Sequence, residues 1–223
     1  MTILDENFAE EENNIPTLTD KEVFTHIWTK PRMVYKYIVH YEYAGYFTLL
    51  LVLAGIANNL DSNNSQGQIN DPITSLILKI VLGAFLGWIG YYIYGFFIKL
   101  TGKLLGGKAA TINIVQVLVY ASLPSILSII PFILLITIFG IRPILEGFTP
   151  GNLVENVFYY GAAIINLLLG IYMIVLSTIG LSVLQKFSNG RAFLNLVLPA
   201  LILVGIAATL VIGFDGLGAF DLL

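Results

Sequence analysis

Cysteine is absent from the 223 residues. That excludes disulfides, thiol nucleophiles and Cys-ligated metals, and leaves the redox compartment open. Charge is also scarce: Asp, Glu, Lys and Arg together are 11% of the chain, where soluble domains carry roughly 25%. Histidine occurs only at His26 and His40, and neither has a His or Cys neighbour at ligand spacing. No His accompanies the serines of the apolar runs, so nucleophilic catalysis has no support. The basic clusters are too small and too close to apolar runs for nucleic acid. No basic segment followed by a short apolar run opens the sequence, so no cleavable signal is expected. These absences predict a protein that is not an enzyme, has no cofactor or metal, and binds no nucleic acid.

Apolar sequence is abundant. Hydrophobic residues are 57% of the chain and the mean hydropathy is +0.85. Five apolar runs predict transmembrane helices at about 44–60, 73–100, 112–139, 157–184 and 193–214. The first is short for a hydrocarbon core of about 30 Å, which needs roughly 20 residues. Basic residues sort between the connectors. Lys21, Lys30, Arg32 and Lys36 precede the first run. Lys99, Lys103 and Lys108 separate the second from the third, and Lys186 and Arg191 the fourth from the fifth. The remaining connectors hold only Arg142, with Lys79 at the start of the second run. Lys and Arg resist translocation, so the N-terminus is expected in the cytoplasm and the C-terminus outside.

Residues 1–18 are acidic and Asn-rich and predict a disordered cytoplasmic tail. Thr19-Asp20-Lys21-Glu22 reads as a capping box. Pro31 breaks the helix that follows, and Val34, Tyr37, Ile38 and Tyr41 align on one face beyond it. An apolar stripe flanked by cations predicts an amphipathic helix over 19–42 in the headgroup layer. Its structural alternative is a packed cap on the bundle. Residues 61–71 read as an external loop, and 215–223 as an external tail. The fold class is therefore all-α: five transmembrane helices, over 43–214, behind an N-terminal interfacial helix.

No Asp or Glu falls inside a predicted span, which argues against proton- or sodium-coupled transport. Lys79 lies near a helix end and can snorkel. The stronger intramembrane polar groups are Asn113, Gln116, Asn166 and Asn195, whose default role is interhelical hydrogen bonding at ~0.6 kcal/mol each. Gln116 and Asn166 are the candidates for contacting a solute. Glu146 and Glu155 read as solvated loop charges. Gly83 and Gly87 form a Gly-x-x-x-Gly unit, with Gly90 a turn later, and predict a close helix-packing or partner face. Pro124 and Pro131 lie nearly two turns apart and should bend the third span. Residues 102–109 nearly fit a phosphate-binding loop, but Ala109 stands where Ser or Thr must hold magnesium, and a strand should precede it.

Gly106-Gly107-Lys108 followed by Tyr120-Ala121-Ser122-Leu123-Pro124 resembles the Yip family of Ypt/Rab-interacting membrane proteins. The proline-broken helix before the first span fits the same resemblance, which covers roughly 20–215. It implies a five-span, N-inside protein; eukaryotic relatives act in vesicle trafficking through Rab GTPases and each other. The Asp-Leu-x-Gly-Pro segment of those relatives has no match here, and Tyr92-Ile93-Tyr94-Gly95 fits a later motif only loosely. The chain is closer to prokaryotic members, so a bacterial inner membrane is favoured and no Rab-binding residue carries over. The function expected is a scaffold or accessory subunit that binds membrane lipids and other membrane proteins or further copies of itself. The alternatives are a transporter or channel for a small neutral or lipid-like solute, and membrane shaping through 19–42.

Overall fold

A computed structural model describes residues 15–60, 71–140 and 149–216. The first fourteen residues of the expected 1–18 tail, most of the 61–71 loop, Arg142, Glu146 and residues 217–223 lie outside the described residues. The described residues are helical without strands: α1 Asp20–His26, α2 Pro31–His40, α3 Phe47–Leu60, α4 Pro72–Leu104, α5 Thr111–Ala121, α6 Leu123–Leu127, α7 Ile129–Phe139, α8 Leu153–Gln185 and α9 Asn189–Gly216.

Local chemistry sets the ends of these helices. The Thr19 hydroxyl accepts from the Glu22 N–H, and the Glu22 carboxylate accepts from the Thr19 N–H at 2.8 Å, which closes the capping box of α1. Pro31 occupies the first position of α2, where its missing N–H costs nothing. Asp71 caps α4 by accepting from the Thr74 N–H at 3.0 Å. Asn152 caps α8 by accepting from the Glu155 N–H. Glu155 is not the solvated loop charge the sequence suggests. It sits in the first turn of α8, only 9% exposed, and its carboxylate accepts from the Gly151 N–H at 2.6 Å. A helix start presents unsatisfied N–H groups and a positive dipole end, and both attract a carboxylate.

Two helices, α4 and α8, are long and apolar enough to cross a membrane. A third candidate is the pair α5 with α6–α7, bent by 41°. The break falls at Ser122, directly before Leu123-Pro124. Helix α3 has 14 residues, about 21 Å at 1.5 Å per residue. It begins three residues later than the predicted run because residues 43–46 do not continue as helix, with Tyr46 at φ 59°. Helix α9 packs over its first turns, where Ala192, Asn195 and Leu196 are buried.

The core lies at the end of the bundle where α1 and α2 dock. Val23, Ile27, Val34, Tyr35 and Ile38 are buried together with Ile98, Ile114, Val117, Tyr120 and Leu181. Val34 and Ile38 of the stripe are thus covered in the packed-cap arrangement, while Tyr37 is half-buried and Tyr41 is exposed. Trp28 stacks on Tyr172 with ring centroids 5.7 Å apart, and the Tyr172 hydroxyl donates to the Trp28 carbonyl at 2.7 Å. Arg32 donates to Asn189 Oδ1 at 2.9 Å and ties α2 to the start of α9.

Candidate functional site

Gly83 and Gly87 meet Gly55 of α3. A Cβ on Gly87 would stand 2.3 Å from the Gly55 Cα, and one on Gly55 would stand 2.3 Å from the Gly83 carbonyl oxygen. The two backbones touch, so the partner of the Gly-x-x-x-Gly unit is a helix of the same chain. Gly90 takes no part: a Cβ there meets nothing within 4 Å. Gly55 was legible as a small residue beside Ala54, but nothing local in sequence pairs it with Gly83.

The Gly106-Gly107-Lys108 turn closes α4. The Gly107 N–H donates to the Gly102 carbonyl at 2.8 Å and the Gly106 N–H to Lys103 at 3.1 Å. This is a Schellman motif, which needs a left-handed residue at its centre, and Gly106 supplies it at φ 90°. Gly107 is required for a different reason. A Cβ there would lie 1.8 Å from Gln185 Oε1 of α8. The turn is a junction between α4 and the end of α8, and the near-match to a phosphate-binding loop is this helix cap.

Beneath the turn lies a buried polar cluster. The Thr101 hydroxyl donates to Asn195 Oδ1 at 2.8 Å and lies 3.4 Å from the Asn195 carbonyl. Pro199 sits inside α9 and cannot donate to that carbonyl four residues back. The Tyr94 hydroxyl donates to the Leu196 carbonyl at 2.6 Å. Side chains of α4 therefore serve the α9 backbone where proline interrupts it. Gly95, beside Tyr94, gives α5 its approach: a Cβ there would meet Val115 at 2.6 Å. Asn195 Nδ2 and Gln185 Nε2 have no hydrogen-bond partner among the described residues.

The second family segment is equally internal. Tyr120, Ala121 and Ser122 are fully buried. The Tyr120 hydroxyl donates to the Gly45 carbonyl, and Ser122 returns its hydroxyl to Val119 at 2.7 Å. Pro124 is buried in α6, and Pro131 lies in the first turn of α7. The Gln116 amide donates to the Tyr43 carbonyl, so its exposed-path role gives way to holding the segment between α2 and α3. Asn166 is half-buried with Oδ1 unpartnered, and Asn113 is exposed. Gln116 and Asn166 are not brought together around one space. Lys108 flanks the glycine turn, exposed.

A cavity among the described residues lies elsewhere. A cavity of about 420 Å³ opens among the helices, lined by Gly90, Tyr91 and Tyr94 of α4, Ser177 of α8, and Leu196 and Ala200 of α9, with Asn58 of α3 at its wall. Its lining carries no charged side chain. Sequence pattern did not single out Asn58, Tyr91 or Ser177, because each is one polar residue in an apolar helix.

Outside the spans, two carboxyls are held below their ordinary range by hydrogen bonds: Glu22 by Thr19, and Asp71 by Thr74. Burial pushes the Tyr35 hydroxyl up, as burial and the Asp20 contact do for Tyr43. The Tyr43 hydroxyl donates to Asp20 at 2.7 Å.

A family model described as the Yip1 domain matches residues 25–212. No curated protein and no solved structure matches the chain.

Proposed function

The chain belongs to the Yip1 domain family, and on that footing we propose that it is a non-enzymatic, multi-pass membrane protein serving as a scaffold or accessory subunit for other membrane proteins. One observation carries this reading. Just beyond Pro199, Leu201, Ile202 and Val204 of α9 are 56%, 43% and 66% exposed, on successive sides of the helix. Apolar residues exposed on several sides of a helix are covered by lipid or by another helix. The buried polar groups, by contrast, serve internal joints: Thr101 with Asn195, Gln116 with Tyr43, and Tyr120 with Gly45.

The reading includes five spans with the N-terminus in the cytoplasm. The cap of α1 and α2, the glycine turn after α4 and the start of α9 then share the cytoplasmic side with the basic residues. Helix α3 crosses as the short arm of a hairpin whose other arm is α4. A prokaryotic inner membrane fits the missing Asp-Leu-x-Gly-Pro segment. Membrane shaping through 19–42 is disfavoured, since Val34 and Ile38 of the stripe it needs are buried.

The test is mild extraction of the full chain, tagged at its N-terminus, from its native membrane, followed by native mass spectrometry. A stoichiometric membrane-protein partner or a defined homo-oligomer supports the proposal. Monomer alone, at every expression level, overturns it.

A further inference from the structure

We propose that the cavity between α3, α4, α8 and α9 is a binding site for one uncharged, lipid-soluble molecule bearing a carbonyl oxygen. The inference is separate from the scaffold reading and survives its failure.

Size and lining set the class of ligand. About 420 Å³ falls within the roughly 300–1,000 Å³ of small-molecule sites. The walls are mainly apolar, and no Lys, Arg, Asp or Glu lines them. An ion would lose its hydration there without a counter-charge, which excludes charged ligands. Gly90, Ile174, Phe193 and Ala200 line the cavity and are exposed. They form an open side on transmembrane helices, the side from which a membrane-dissolved molecule would enter.

Ser177 sets the polar requirement. It lines the cavity and is 2% exposed. A hydroxyl on an apolar helix ordinarily returns its proton to the carbonyl four residues back. Thr137, Thr178 and Thr209 do so, at 2.8–3.1 Å. Ser177 makes no side-chain hydrogen bond among the described residues. A hydroxyl donor lining an apolar chamber lacks the water that would otherwise satisfy it, and a ligand oxygen in the cavity would supply the acceptor. The other polar lining groups are more engaged. The Tyr94 hydroxyl is committed to the Leu196 carbonyl. Asn58 accepts from Ser125 at 2.9 Å and reaches the Tyr91 hydroxyl only at 3.5 Å, the outer limit of a hydrogen bond. A free Ser177 hydroxyl, with the loosely held Tyr91 hydroxyl on the same wall, suits a carbonyl on a hydrophobic body. Two membrane sources offer that chemistry: the ester of an uncharged acyl lipid and the ring of an isoprenoid quinone.

The full chain in detergent would be melted with dioleoylglycerol, with a short-chain ubiquinone, and with hexadecane as a carbonyl-free control. At saturation one of the first two should raise Tm by about 5 °C, and which one does so names the source. Gly90→Leu fills the chamber at a position with open space around it, and should remove the rise while the protein stays folded and monodisperse. Ser177→Ala should weaken binding of the active probe about fivefold. No rise with either carbonyl probe overturns the proposal. So does an equal rise with hexadecane, an undiminished rise in Gly90→Leu, or unchanged affinity in Ser177→Ala.

Discussion

At the residue scale, glycines of identical sequence appearance divide by what a methyl group would touch. Gly→Ala inside a helix gains about 0.5–1 kcal/mol from backbone entropy. At Gly90 that gain stands, because a Cβ meets nothing within 4 Å, so Gly90→Ala is expected to be neutral or stabilising. At Gly87 the Cβ would press on the Gly55 backbone at 2.3 Å. Backbone cannot rotate away as a side chain can, and overpacking of this kind costs about 1–3 kcal/mol. Thermal unfolding of the two variants in the same detergent should therefore move in opposite directions. Gly107→Ala is the third case. Its obstacles are the Gln185 amide, a flexible group, and the Phe187 ring at 2.9 Å, so Gln185→Ala should restore part of the stability that Gly107→Ala loses. A double-mutant cycle on unfolding free energies measures that coupling. The glycine pattern was visible in the sequence, but not the division among its members, since each depends on what lies across a helix interface.

At the element scale, α9 depends on α4. Pro199 leaves the Asn195 carbonyl without its usual donor, and the Thr101 hydroxyl stands 3.4 Å from it while bonding the Asn195 side chain. Thr101→Val should cost about 1–3 kcal/mol, the range for leaving buried polar groups unpaired. In a Pro199→Ala background part of that loss should vanish, because residue 199 regains an N–H for the carbonyl. Equal losses in both backgrounds, by thermal unfolding, would show that Thr101 serves only the Asn195 side chain. Helix α1 offers a pH test. Hydrogen bonds from Thr19 depress the folded-state pKa of Glu22 below its ordinary 4.5. A depressed carboxyl stabilises the fold above the unfolded pKa, and that contribution disappears as pH falls through the folded value. Amide exchange at Glu22 and Val23 should therefore show protection falling below about pH 4.5, whereas Thr19→Ala should flatten that dependence. The capping box and the break at Pro31 were legible because caps and prolines act over three or four residues. The docking of α1 and α2 was not, because an amphipathic stripe suits lipid and protein alike.

At the scale of the whole molecule, the proposed topology makes a direct prediction. A reporter fused at Met1 should be active only in the cytoplasm, and one fused after Leu223 only outside. Reporters active on the same side would remove a span, with α3 the first suspect at 14 residues. Removing the α1–α2 cap should expose Tyr120 and Val117, which it buries, and lower the melting temperature of the remaining bundle. A cap that merely lay on lipid headgroups would leave that temperature unchanged.

Sequence alone determined what depends on composition and short-range order. Scarce charge and long apolar runs placed the chain in a membrane, and Gly106-Gly107-Lys108 with Tyr120-Ala121-x-x-Pro124 pointed to the family whose domain spans 25–212. Tertiary structure alone decided which apolar surface meets which: Gly55 against Gly83 and Gly87, Gln185 against Gly107, Tyr35 and Val117 against Gly180, and the chamber beside Ser177. The reason is physical. In a soluble protein, water divides buried from exposed positions and writes that division into polarity. In a membrane protein, lipid-facing and helix-facing positions are both apolar, so the pattern that names a helix does not name its neighbours.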